Sequence, residues 1–151
     1  PILGNSIFGN LRLGIDLGAD GPTENDPSDA DQGANRLQNS PQLERAFAVP
    51  GGVVITGAAS TEAPNVPVRV EFFRNAPCSA TNETPQARDL VHVFTGLSNA
   101  DGVVTFQENV AQGLSTGDGV TATATASLIG DLGTSQNTSE ISNCTPVIPS
   151  Q

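Results

Sequence analysis

The sequence predicts an all-β protein, and three observations predict it. Val and Thr recur in short runs that alternate apolar with polar side chains, the period of a half-buried strand. Sixteen Gly and eleven Pro cut those runs short and favour strands over helices. Aromatic residues make up 4% of the 151 residues and Trp, Tyr and Met are absent, so a core must come from Val, Ile, Leu, Ala and six Phe. A chain of this length makes one domain, or one domain with an arm.

The first segment is the arm. Ile2, Ile7, Phe8, Leu11, Leu13, Ile15 and Leu17 fall mostly at strand spacing, and Asn/Gly pairs punctuate them as tight corners. One such coil cannot bury its own apolar face, because stacked arrays need about three repeats for stability. The arm is therefore expected either to be the last rung of a longer solenoid or to complete a fold in another copy.

An acidic segment follows. Gly18, Gly21, Pro22, Pro27 and Gly33 rule out a regular helix or long strand between Asp16 and Asn35. Asp16, Asp20, Asn25, Asp26, Asp29 and Asp31 offer the hard oxygen ligands that Ca²⁺ prefers, although the EF-hand spacing is not met. A solvated acidic loop is the other reading. Carboxylates crowded without basic neighbours repel one another unless a cation is shared.

From residue 43 onward the runs read as short strands. Residues 43–49 alternate, Pro50-Gly51-Gly52 turns, and Val53-Val54-Ile55-Thr56-Gly57 returns. In Val66-Pro67-Val68-Arg69-Val70-Glu71-Phe72 one face is apolar, and the opposite face, with Arg69 and Glu71, is expected to be wet. A loop over residues 75–89 leads to the strand Leu90-Val91-His92-Val93-Phe94-Thr95-Gly96. Asn99-Ala100-Asp101-Gly102 then predicts a hairpin turn with Gly102 at positive φ before Val103-Val104-Thr105-Phe106-Gln107. Gly117-Asp118-Gly119 turns into the Thr/Ala strand of residues 120–126, whose small inward residues suggest a closely approached layer. Gly130-Asp131-Leu132-Gly133 starts the last hairpin, residues 141–144 close the fold, and the Pro146 to Pro149 tail is a plain terminus or an edge guard. Roughly seven strands at intervals of about 8–12 residues is the pattern of an immunoglobulin-like β-sandwich. Residues 1–42 are then the extended N-terminal β arm and acidic loop, and residues 43–151 the sandwich.

The net charge of −10, with six Arg and no Lys, repels nucleic-acid phosphates and anionic headgroups, and it removes Lys-based cross-links. No apolar run approaches the roughly 20 residues of a membrane-spanning helix, and Pro1, lacking a basic and apolar leader, reads as a processed start. Two widely spaced cysteines, Cys78 and Cys144, fit an exported protein with one disulfide; two buried thiols are the alternative. Closing that loop would stabilise by roughly 4 kcal/mol.

No catalytic set is expected. His92, the single histidine, lies mid-strand without a nucleophile motif, and carboxylate pairs lack the aromatic cleft of a glycosidase. The glycosylation patterns at Asn82, Asn137 and Asn143 are decoration at most.

Asn5-Ser6-Ile7-Phe8-Gly9-Asn10, Leu13-Gly14-Ile15-Asp16-Leu17-Gly18, Asn25-Asp26-Pro27, Asp29-Ala30-Asp31 and Leu37-Gln38-Asn39-Ser40-Pro41 resemble the C-terminal end of secreted bacterial right-handed β-helix surface proteins. Val70-Glu71-Phe72-Phe73-Arg74-Asn75 with Cys78, and Asn137-Thr138-Ser139-Glu140 with Cys144, resemble the immunoglobulin-like sandwich that follows there. The resemblance implies a last coil, an acidic loop and a sandwich, on the cell surface or secreted, and no catalytic motif. Two functions follow as expectations. One is an extracellular filament subunit that assembles head-to-tail with other copies, donating the arm to the strand of residues 120–126, with Ca²⁺ as stabiliser. The other is a passive C-terminal module of a longer β-helix adhesin.

Overall fold

The structure is a computed structural model that describes residues 1–79, 84–130 and 133–150. It is all-β, as the Val/Thr alternation predicts, with eight strands among the described residues. β1 (Gln42–Val49) and β2 (Gly52–Ser60) form a hairpin in which Gly51 turns at φ 91°, and β2 pairs onward with β5 (Val103–Val110). β3 (Pro67–Asn75) lies between β4 (Asp89–Leu97) and β6 (Gly119–Gly130), and β7 (Gly133–Thr138) folds back on β6. The predicted turn before β5 is present: Gly102 has φ 75° and donates its N–H to Asn99 O at 3.1 Å.

β8 (Thr145–Ile148) joins the two groups of strands. It runs antiparallel to β6 and parallel to β1, giving the order β4-β3-β6-β8-β1-β2-β5. Pro146 to Ile148 of the expected tail are thus part of the sheet rather than a plain terminus or guard. Residues 141–144 are not a strand. Ser142 is tied down by an irregular bond instead, its N–H to Ala122 O, and Ser139 just before the segment bonds Ala124 O in the same way, both at 2.8 Å. The tip of the last hairpin, Asp131 and Leu132, lies outside the described residues, as does Asn82.

The path curls into a nearly closed, barrel-like arrangement. Its end strands β4 and β5 face each other, with the Phe94 and Phe106 rings 5.7 Å apart and Phe106 edge-on to Phe72 at 5.2 Å. Ile55, Val70, Phe72, Val120 and Ala124 are fully enclosed between the curled halves. The small side chains of Ala122, Ala124 and Ala126 form the thin part of this core.

The other face of β3 and β6 differs from the expectation. Arg69 stays half-exposed, but Glu71 is 1% exposed and Phe73, Thr121, Thr123 and Thr125 are also buried. Residues 1–23 cover this face. The arm is not a β arm. Its backbone pairing is one antiparallel bridge among the described residues, Ile7 with Ala87, because Gly and Asn corners interrupt every longer run. Ile2, Ile7, Ile15 and Leu17 pack with Phe73, Ala87 and Ile141 in a second, smaller core. The arm finds in its own chain the apolar partner that the sequence says it needs.

Candidate functional site

Two buried carboxylates fasten the arm. Glu71 on β3 receives Arg69 Nε and Nη2 on one oxygen, at 2.9 and 2.8 Å, and the Gly4 N–H on the other, at 2.9 Å. Glu140 accepts the N–H groups of Leu17 and Thr23, each at 2.9 Å, and the Thr23 hydroxyl. The Ile2 N–H reaches Thr138 Oγ1. A loop without a ladder leaves backbone donors that must be satisfied when covered, and these side chains satisfy them.

Beyond the arm, residues 25–40 make a loop whose ends are latched. The Asn25 carboxamide donates to Ser40 O and accepts the Ser40 N–H, both at 2.8 Å. Asn39 repeats the pattern one step inward, accepting the Asp26 N–H and donating to Asp26 O. Two short 3₁₀ turns, Pro27–Asp29 and Ala34–Leu37, lie inside. Five residues there sit in the left-handed region: Ser28, Asp29, Asn35, Arg36 and Leu37, at φ 48–65°. Asn and Asp tolerate that conformation; Ser28, Arg36 and Leu37 do so at a cost of roughly 1–3 kcal/mol each.

The latched loop brings Asp26, Asp29 and Asp31 together, with one ligand oxygen from each within 4.8 Å of the others. Asp29 is buried, with Oδ1 accepting the Asn39 N–H at 2.6 Å, and Asp31 Oδ1 is buried with no hydrogen-bond partner among the described residues. Burial pushes the Asp29 carboxyl up from 3.8 to about 6, opposed by the Asn39 N–H and reinforced by Asp26, Asp31 and Glu62. Asp31 is raised too, by burial and then by Asp26. Three carboxylates gathered in this way are hard oxygen donors of the kind a divalent cation takes.

Of the six predicted ligands the structure brings these three together. Asp16 and Asp20 are exposed and outside the cluster, and Asn25 serves as the latch. Of the predicted donor residues, Ile15 is buried, Ile2, Ile7, Leu13 and Leu17 are half-buried, and Phe8 and Leu11 are exposed. Phe8 rests 5.3 Å from the Arg88 guanidinium. Residues 120–126 are covered on both sides: β3 pairs along one, and on the other β8 pairs at Val120, β7 pairs from Thr125, and Ser139 and Ser142 bond the Ala122 and Ala124 backbone between them. Sequence reasoning missed Glu71 and Glu140 as clamps; a Glu within an otherwise apolar or hydroxyl-rich stretch was the available signal.

Cys78 and Cys144 form a disulfide across 66 residues. No helix among the described residues is long and apolar enough to cross a membrane. No family model and no curated protein matches the chain.

Proposed function

We propose that the chain is a non-catalytic structural module of an extracellular protein, an immunoglobulin-like β-sandwich whose acidic loop takes Ca²⁺ through Asp26, Asp29 and Asp31. The observation that carries this reading is the arm clamp: both oxygens of Glu71 and of Glu140 are engaged in holding the chain together. The two strand groups either side of β8, with one apolar layer between them, support the sandwich. The disulfide supports an oxidising compartment. The resemblance to the end of bacterial β-helix surface proteins supports a place at the end of a longer adhesin.

Calorimetric titration of CaCl₂ into chelator-treated protein tests the metal. A saturable site that Asp31→Asn weakens, with a matching rise in melting temperature, is expected; absence of both heat and shift would leave a plain solvated loop.

A second reading is a surface filament built by arm donation. It is favoured by the arm having one backbone bridge among the described residues, and the edges of β4 and β5 that no described strand pairs would then receive the strand. Electron microscopy with and without chelator separates the two readings.

A further inference from the structure

We infer that the arm exchanges between copies: residues 1–23 of one chain occupy, in a second, the same seat on β3 and β6 that they occupy in their own. The inference builds on the structural-module reading above and is independent of the metal.

The seat is specific for this segment. Glu71 and Glu140 lie 69 residues apart in sequence, yet they receive N–H groups at Gly4, Leu17 and Thr23, and Ala87 pairs with Ile7 through two bonds of 2.7 and 2.8 Å. A second copy offers identical groups, so the contacts made in exchange equal those lost. What differs between closed and exchanged forms is the connection. The closed form requires the tight loop latched by Asn25 and Ser40, with Ser28, Arg36 and Leu37 held left-handed inside it. Extending residues 24–41 across to a neighbour, a reach of up to roughly 60 Å, releases that strain. Strained hinges are the known route to exchange of an identical element, and reciprocal exchange closes into a two-fold pair.

The arm is also bound in a manner that allows release. Its apolar anchor against the sheet is small, and most of the seat is hydroxyl and carboxylate, which water can re-solvate once uncovered.

Cross-linking tests this. Ile7→Cys and Ala87→Cys are made as separate chains, incubated together folded, oxidised and mapped by mass spectrometry; the double variant in one chain is the control for the bridge. The expected result is a heterodimer linked from position 7 to position 87. Its ratio to closed monomer rises roughly tenfold for each tenfold rise in concentration while dimers are scarce. Adding Arg36→Gly and Leu37→Gly, which relieve the loop, is expected to lower that ratio by about tenfold or more. No heterodimer at any concentration, while the double variant closes within one chain, overturns the proposal. So does a heterodimer whose yield ignores the glycine substitutions. A calcium titration left intact alongside a failed cross-link would overturn exchange and leave the module reading standing.

Discussion

His92 Nε2 on β4 and Glu108 Oε2 on β5 meet at 2.8 Å, bridging the two end strands of the sheet, which share no backbone ladder among the described residues. Beneath them Phe106 touches both Phe94 and Phe72. The two layers of this seam contribute very differently. The polar contact is about a quarter exposed on each side, so His92→Gln is expected to cost under about 1 kcal/mol. Phe106→Ala, which removes a 5%-exposed ring, is expected to cost about 3–5 kcal/mol. Urea unfolding of the two variants measures both; a larger loss for His92→Gln than for Phe106→Ala would mean that the polar bridge, not the rings, dominates the seam.

Glu71 ties the arm to Arg69 through one carboxylate. Glu71→Gln turns an N–H₂ group toward either Arg69 or the Gly4 N–H, and is expected to cost roughly 1–3 kcal/mol. The loss has an address: amide exchange at Gly4 and its neighbours rises before that of β3. An unchanged rate at Gly4 would remove Glu71 from the clamp.

The strands were legible in the sequence because one-sided burial writes itself as alternation: Val68, Val70 and Phe72 announce β3, and Asn99 to Gly102 announce the turn into β5. What hid was whatever depended on a second covering layer. Glu71 alternates like a solvent-facing residue, and only the arm folded over it makes it buried. β8 hid because Pro146 argues against a strand, yet at that position the short strand needs few ladder donors: it pairs at two positions with each neighbour. In the acidic loop, composition gave the ligand type but not which carboxylates converge, since that depends on left-handed turns at Ser28 and Asn35 that local sequence does not dictate.

Gly119 begins β6 directly under the disulfide. A Cβ there would lie 2.6 Å from Ala76 O and 2.7 Å from Cys144 Sγ. Gly119→Ala is therefore expected to cost about 1–3 kcal/mol through displacement of backbone and cystine, whereas Cys78→Ser with Cys144→Ser costs about 4 kcal/mol through the freed loop. If both losses act on the same junction, combining the three substitutions gives less than their sum, because removing the sulfurs relieves part of the clash. Full additivity in denaturant titrations would mean that the clash is with Ala76 alone.

Asp29 sets the pH dependence of the loop, and its sign is fixed by the direction of its shift. The folded carboxyl titrates near 6 against an ordinary 3.8, so the folded chain holds this proton more tightly than the unfolded one. The contribution is fully present below about pH 4 and is lost as pH rises through 6; at pH 7 the ionised carboxylate weighs against folding by on the order of 3 kcal/mol. Without metal, the urea midpoint is expected to rise as pH falls from 7 to 5. Asp29→Asn flattens that rise and stabilises at pH 7, since its Oδ1 still accepts the Asn39 N–H. Calcium bound as proposed is expected to nearly close that gap. A cation held among Asp26, Asp29 and Asp31 favours the ionised forms, so at pH 7 the native chain gains about 2.7 kcal/mol at a hundredfold excess over Kd, and the Asn variant gains much less. At such a site acid would set protons against the ion, and affinity is expected to fall below about pH 6. Midpoints measured at pH 5 and 7, with calcium and with chelator, give the four values required. An Asn variant that matches the native chain in all four would show that Asp29 neither titrates in this window nor binds the ion.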